Sequence, residues 1–234
     1  MSKVLAVALK DLRSEARSKQ VAPVMVAFSL SLVFLLTFAL PPGSGDAPPP
    51  EPQAGAVAVR EVIGPLVWTS LLLAAVIGFG RSASAEHEGG MIEALILSPV
   101  DPAALFAGKA LANFLFLTLT EMAMIPAFAL FAGVGITPLW PGILAVALAA
   151  NLGLVAIGTL FGAAAQHSSA RSLILALLMF PVLLPLILAA AKLTSTLLLQ
   201  GSFVGATHWF ILMAVFDLVF TVIGAVTFEF VIQE

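Results

Sequence analysis

Few side chains in this chain could take part in chemistry, and two of them stand in the middle of long apolar stretches. The sequence has 13 acidic and 10 basic residues, three histidines, and no cysteine or tyrosine. Glu121 and Asp217 are the two buried candidates. A charged side chain at the centre of a bilayer costs at least about 2.5–3.5 kcal/mol, so each should face protein or a water-filled cavity. They could line a transport path through the membrane or lie at a contact with another subunit. We favour a structural hydrogen bond between helices, because no basic residue within a span offers a partner.

A polar segment from Arg81 to Lys109 separates two apolar stretches and is the main candidate for contact with another protein. It holds three glutamates, a histidine, a glycine pair and two prolines, in a chain of which only 10% of residues are charged. Its composition fits a structured segment outside the membrane. A solvated loop without a partner is the alternative, and spacing alone does not separate the two.

The local sequence of this segment predicts a helix, a sharp turn and a new helix. The Gly89–Gly90 pair should end the preceding helix, because glycine is unfavourable inside helices. The apolar residues of Met91–Ile96 share one face of a short helix that Pro99 stops. Asp101–Pro102 then reads as a helix start, with a capping side chain followed by proline at the first helical position. A short helix held across the membrane plane could receive force from a soluble partner.

The composition places these candidates in an integral membrane protein. The hydrophobic fraction is 61%, against about 45–50% in soluble domains. The absence of cysteine excludes disulfides and thiolate metal sites. The net charge of −3 with no basic run gives no indication of nucleic acid. We predict an all-α membrane protein that forms one transmembrane domain over residues 1–234.

Six apolar stretches are long enough to cross a hydrocarbon core about 30 Å thick. The first should be a retained helix rather than a signal peptide, because no small-residue cleavage signal follows it. A proline-rich loop, Pro41–Gly55, follows the first span, and a loop is predicted at Thr194–Thr207 before the last. The six spans are Val21–Leu40, Glu61–Gly80, Leu105–Phe131, Pro141–Ala165, Ser172–Leu193 and His208–Val231.

An amphipathic helix is predicted over residues 1–20, lying at the membrane surface. Leu5, Leu9, Leu12 and Ala16 form a narrow apolar stripe, and basic residues cluster on another face. Such a helix is attracted by anionic lipid. A disordered basic tail is the alternative.

The basic residues orient the six spans. Eight of the ten fall on the side of the termini, and only Arg60 and Lys192 fall on the other. The positive-inside rule therefore makes the termini and the 81–104 segment cytoplasmic, and the proline-rich loop external. Trp68, Trp140 and Trp209 lie in the outer parts of their spans, as an interfacial aromatic belt would place them.

The run EGGMIEALILSPVDPAALFAGKALANF resembles the corresponding run of the cytochrome c maturation protein B family, the haem exporter B permeases. The matching positions here are Gly90, Ile92, Glu93, Leu95, Pro99 and Lys109, with Pro65, Trp68 and Arg81 upstream. The resemblance is specific from Gly64 to Asn113. Gly80 and the Ser82–Ala85 stretch depart from the family, which has a glutamate and an acidic cluster there.

The resemblance implies the permease subunit of an ABC-type transporter, similar to type-2 exporters, in the bacterial inner membrane. The expected partners are the ATPase, cytochrome c maturation protein A, the subunits C and D, and the haem chaperone E, with a homodimer inside the complex. Coupling to the ATPase is assigned to Glu86, Gly90, Glu93, Leu95 and Pro99. The chain has no GxxxxGK[ST] loop, so ATP hydrolysis belongs to the partner. No cofactor is expected to bind this chain directly.

The three histidines are candidate haem ligands, and none is favoured. His87 and His167 are predicted cytoplasmic, and His208 beside Trp209 is typical of an aromatic-belt anchor. Glycines 153, 158 and 162 form a small-residue face that could serve internal packing or a homodimer. The alternative functions are an exporter for a lipid, glycan or drug, a membrane-embedded enzyme and a channel. The enzyme is disfavoured because Glu121 and Asp217 alone make a poor site.

Overall fold

The computed structural model of the protein describes residues 3–19, 21–39, 59–88, 101–165 and 171–233, and all regular structure within these ranges is helical. Besides the α-helices, the described part contains one short 3-10 helix, Thr137–Leu139, which lies in the connection before Trp140. The helices are α1 (Lys3–Ser18), α2 (Ala22–Phe38), α3 (Val59–Glu88), α4 (Pro102–Ala132), α5 (Trp140–Ala164), α6 (Arg171–Gln200) and α7 (Thr207–Gln233).

Helices α3 to α7 each contain a stretch that is long and apolar enough to cross a membrane. Helix α2 has 17 residues, which corresponds to about 25 Å at about 1.5 Å per residue. It meets α1 at a bend of 70°, and the two helices qualify together as one further span. The protein is therefore a multi-pass helical membrane protein, as predicted. The layout of six spans with a separate surface helix remains a prediction.

Helix α6 corrects the predicted loop between Thr194 and Thr207, because it continues to Gln200 and leaves only residues 201–206 as a connection. The polar residues at its end bond to another helix. The Thr194 hydroxyl accepts the Trp68 indole N–H at 2.9 Å, and the Ser195 hydroxyl donates to the Glu61 carbonyl at 2.9 Å. Polar side chains that suggested a loop therefore join α6 to α3.

The same contact corrects the assignment of Trp68 to an interfacial belt. Its side chain is only 2% exposed and lies in the core between α3 and α6. A belt tryptophan presents its ring to the headgroup region, which this one does not. Trp140 and Trp209 are half-buried at the ends of α5 and α7.

Helix α5 is the centre of the bundle and packs against α3, α4, α6 and α7. Two of its glycines allow this close approach. A Cβ atom on Gly158 would overlap the Phe79 ring of α3, and one on Gly153 would meet the side chains of Leu186 and Phe216. These two members of the predicted small-residue face therefore serve packing within the chain. A Cβ on Gly162 would meet nothing within 4 Å.

Candidate functional site

Most of the predicted ATPase-coupling segment lies outside the described residues. This applies to Gly90, Glu93, Leu95 and Pro99, and to the short helix predicted over residues 91–96. Glu86 lies in the last turn of α3. The assignment of these residues to a partner contact therefore stays a prediction, and the structure bears on the helices that flank the segment.

The helix that follows the segment begins as predicted. Asp101 has the extended backbone of a capping residue, and its carboxylate accepts the backbone N–H of Ala103 at 3.1 Å. Pro102 occupies the first helical position, where its missing N–H has no cost because that group would have no partner within the helix. The start of α4 is therefore fixed by its own sequence.

Helix α1 packs on the first turns of α4. A Cβ on Gly108 would lie 2.6 Å from the Val7 Cβ, so only glycine permits this approach. Val7 and Ala8 are buried, whereas Leu5 and Leu9 are 47% and 37% exposed. Helix α1 forms as predicted, but of the predicted stripe only Leu12 packs against the core, while Leu5 and Leu9 stay exposed.

Glu15 joins α1 to α2. Its Oε1 atom accepts the backbone N–H groups of Val21 and Ala22, each at 2.8 Å, and the side chain is 9% exposed. These N–H groups lie at the start of α2, where Val21 provides no side-chain cap. The first N–H groups of a helix have no partner within it and favour negative charge. Glu15 thus acts as a cap from the preceding helix.

A small polar pocket lies where α1, α3, α4 and α5 meet. Lys109, only 7% exposed, reaches it from α4, together with Asn113 one turn further on. The volume of about 30 Å³ is enough for about two water molecules. Its remaining lining comes from Asp11 of α1, Phe79 and Ser82 of α3, Ala112 and Phe116 of α4, and Gly158, Thr159, Gly162 and Ala163 of α5.

Two polar contacts join α4 to α5 at successive levels. Nearer the α1 end of the bundle, the Asn113 amide donates to the Thr159 hydroxyl at 3.0 Å. Further along, the Asn151 amide nitrogen donates to Glu121 Oε2 at 2.6 Å and to the Thr118 hydroxyl at 3.3 Å. Glu121 is 2% and Asn151 0% exposed. The predicted structural hydrogen bond of Glu121 is therefore present.

Asp217 lies on a different side of α5. Its carboxylate faces the backbone of Gly153, and an added Cβ there would lie 2.5 Å from Oδ1. Positions 151 and 153 point roughly 200° apart on a helix of about 3.6 residues per turn. The carboxyls of Glu121 and Asp217 are therefore not brought together into one site. Each lies about 15–17 Å from the nearer end of its helix at about 1.5 Å per residue, close to mid-depth.

The histidine positions supply no clustered ligands in the described part of the chain. The His208 ring contacts that of Trp209 with centroids 4.9 Å apart, and His208 is exposed. His87 lies in the last turn of α3, and His167 is outside the described residues. Among those residues, no group of three or more His, Cys, Asp or Glu could hold a metal ion.

Sequence reasoning missed three residues of these sites. Asn151 and Asn113 are polar residues in apolar stretches, a signal that attention to ionisable side chains alone passed over. Glu15 lies in the last turn of α1, a few residues before the start of α2, but its role depends on the 70° bend between the two helices. No local pattern predicts that bend.

The described helices pack around the glycine-bearing helix α5, are joined by polar contacts at mid-depth, and define a multi-pass helical membrane protein. The chain belongs to the CcmB family, whose sequence profile, described as "CcmB protein", matches residues 2–233.

Two relatives carry the printed name "Heme exporter protein B". The one from Bradyrhizobium diazoefficiens is 25% identical over 226 residues, which cover 96% of this chain and 94% of that protein. The one from Pseudomonas aeruginosa is 33% identical over 133 residues, covering 56% of this chain and 59% of that protein. The first match extends over almost the full length of both proteins.

Proposed function

We propose that this chain is the permease subunit of an ABC-type haem exporter that serves cytochrome c maturation. The observation that carries the proposal is the family match over residues 2–233, on a chain whose described part is a multi-pass helical bundle. Two relatives named as haem exporters support the choice of haem over a lipid, glycan or drug. The chain would transmit the energy of ATP hydrolysis without binding ATP.

The partners follow from the same proposal. A separate ATPase, cytochrome c maturation protein A, would dock on the segment between α3 and α4. Subunits C and D and the haem chaperone E would complete the assembly, in which this subunit is paired with a second copy. The complex would lie in the inner membrane, with both termini and the docking segment in the cytoplasm.

The packing at both ends of the docking segment supports this role. Before the segment, Phe79 of α3 lies against Gly158 of the central helix α5. After it, Gly108 of α4 is packed against Val7 of α1. A force on the segment would therefore reach the bundle core through α3, and both α1 and α5 through α4. Interiors packed this closely transmit displacement because they have little compressibility.

Copurification of the ATPase with a tagged chain tests the docking surface. Glu93→Lys reverses a charge within the segment and should reduce the amount of ATPase recovered, while membrane insertion is retained. Glu61→Lys is the matched control, since Glu61 is exposed and lies at the opposite end of α3. Equal recovery with both variants would show that Glu93 is not at the contact.

Cysteine labelling tests the topology, because the chain has no cysteine of its own. With an impermeant reagent on intact cells, Ser44→Cys in the proline-rich loop should be labelled and Ser84→Cys should not. Labelling of Ser84→Cys from outside would reverse the proposed orientation.

Haem titration of the purified chain tests where the substrate is held. We expect no stoichiometric binding, because haem iron is held by His, Met, Cys or Tyr. This chain has no Cys or Tyr and three His, and its seven Met residues lie in a chain whose apolar spans usually use Met for packing. His208 is the histidine predicted on the outer side. A one-to-one Soret shift that is lost in His208→Ala would place a haem site in this subunit.

A further inference from the structure

The contact between Glu121 and Asn151 has more hydrogen-bond acceptors than donors. Both N–H bonds of the Asn151 amide are used, one to Glu121 Oε2 and one to the Thr118 hydroxyl. Two buried oxygens of this contact, Glu121 Oε1 and Asn151 Oδ1, have no hydrogen-bond partner among the described residues. Both are acceptors as they stand, so what the contact lacks is a donor.

The neighbouring hydroxyl groups of α4 cannot supply the donor. Thr118 donates its hydrogen to the Phe114 carbonyl at 2.8 Å, and Thr120 donates to the Phe116 carbonyl at 2.9 Å. A hydroxyl has one hydrogen to give. Buried acceptors without a donor are unfavourable, and most are satisfied in native proteins. An additional hydrogen at the carboxyl would remove the deficit.

Glu121 forms no salt bridge with a basic residue of the described helices. Helices α2 and α5 contain no charged residue, and α3 has none between Glu61 and Arg81. Lys109 precedes Glu121 on the same helix by about 18 Å at about 1.5 Å per residue. Lys192 of α6 is exposed. On α7, Asp217 contacts the other side of α5, while the remaining ionisable residues, His208 and Glu229, lie near the helix ends.

We propose that Glu121 is a proton-binding site, in which a neutral carboxylic acid is held by Asn151 between α4 and α5. The acid accepts the amide N–H through Oε2 and donates its own hydrogen from Oε1 toward the amide oxygen, as an acid and an amide do in a cyclic pair. The bound proton removes the charge that apolar surroundings disfavour. It also turns an unpaired acceptor into a donor. Separation of α4 from α5 would expose the acid to water and release the proton.

Infrared spectroscopy of the full chain in lipid nanodiscs tests the site without any partner or transported substrate. The wild type at neutral pH should show a C=O band of a protonated carboxylic acid. Glu121→Gln should lose this band and keep the melting temperature, because glutamine reproduces the neutral pair with Asn151. Asn151→Leu should shift the acid band to the frequency of a carbonyl without a hydrogen bond. Glu61→Gln, at an exposed position, should leave the band unchanged.

Two results would contradict this proposal. If Glu121→Gln removes carboxylate bands and leaves the acid region unchanged, Glu121 is ionised and the proposal is wrong. A rise in melting temperature with sodium or potassium chloride that Glu121→Gln abolishes would assign a monovalent cation to the site instead. If Glu121 is protonated but the chain recruits no ATPase, the proton-binding site is supported and only the proposed transport function is refuted.

Discussion

Replacing Glu15 with alanine should separate α1 from the start of α2. The substitution removes the one oxygen atom that accepts the N–H groups of Val21 and Ala22, each at 2.8 Å. Pro23 follows and has no N–H to contribute, so these two groups are a large share of the unpaired donors at that helix end. No other side chain caps this terminus in the described structure.

The expected loss can be worked from these contacts. Removing a helix cap costs about 0.5–2 kcal/mol, and hydrogen bonds to a charged group contribute about 1.5–3 kcal/mol. Glu15 lies near the α1 end of the bundle and is 9% exposed, so water can replace part of what is lost. We therefore expect about 1–3 kcal/mol, or roughly 3–10 °C in apparent melting temperature for a chain of this length.

Thermal unfolding in detergent or nanodiscs measures this loss. Glu15→Gln keeps an acceptor oxygen and loses only the charge, so its shift should be clearly smaller. Ser14→Ala is the matched control, because Ser14 is the exposed neighbour on the same helix; surface changes of this kind stay within about 0.5 kcal/mol. If Glu15→Ala has the same melting temperature as Ser14→Ala, the carboxylate does not hold the two helices together and the proposed role of Glu15 at the bend is wrong.

Two further predictions concern the packing of α3. Gly158→Leu should destabilise the chain by about 1–3 kcal/mol or prevent folding, because the new side chain would overlap the Phe79 ring that packs against that glycine. Gly162→Ala should be tolerated, because a Cβ atom there meets open space. Equal membrane yields of the two variants would contradict this prediction. Thr194→Val leaves the Trp68 N–H without its acceptor and should cost about 1–3 kcal/mol. Thr227→Val, which loses only a bond to its own helix, is the control in the same melting assay.

The spans and the start of α4 could be predicted from the sequence because both depend on local physics. Apolar length indicates a crossing, and all of the predicted span ends fall within a few residues of a helix end or inside a longer helix. Asp101–Pro102 was sufficient to place the α4 start, since the cap and the proline act within one turn. The segment before it carries the functional assignment, which stays a prediction because residues 89–100 lie outside the described structure.

The end of α6 could not be predicted, because its polar residues have partners far away in the chain. Trp68 bonds to a residue 126 positions later, and Ser195 to a carbonyl 134 positions earlier. A threonine and a serine after an apolar run look the same whether they meet water or another helix. Only the pairing of α3 with α6 separates these cases, and span counting gives no information on which spans pair. Asn151 was missed for the same reason, since its partners lie on α4.

The two polar levels between α4 and α5 constrain how this subunit can move. Helix α4 packs against α1, α2, α3, α5 and α7, and its start carries the chain that comes from the proposed docking segment. A shift of α4 along α5 must break the Asn113–Thr159 bond and the Glu121–Asn151 bond, which lie about two turns apart on α4 at about 3.6 residues per turn. A buried polar group left without a partner is costly, so partial shifts are disfavoured and two discrete arrangements are expected. Of the residues in these two bonds, only Glu121 can change its charge during such a shift. Asn113→Ala should therefore loosen the helix pair without altering the carboxylic-acid band, whereas Asn151→Leu should alter both.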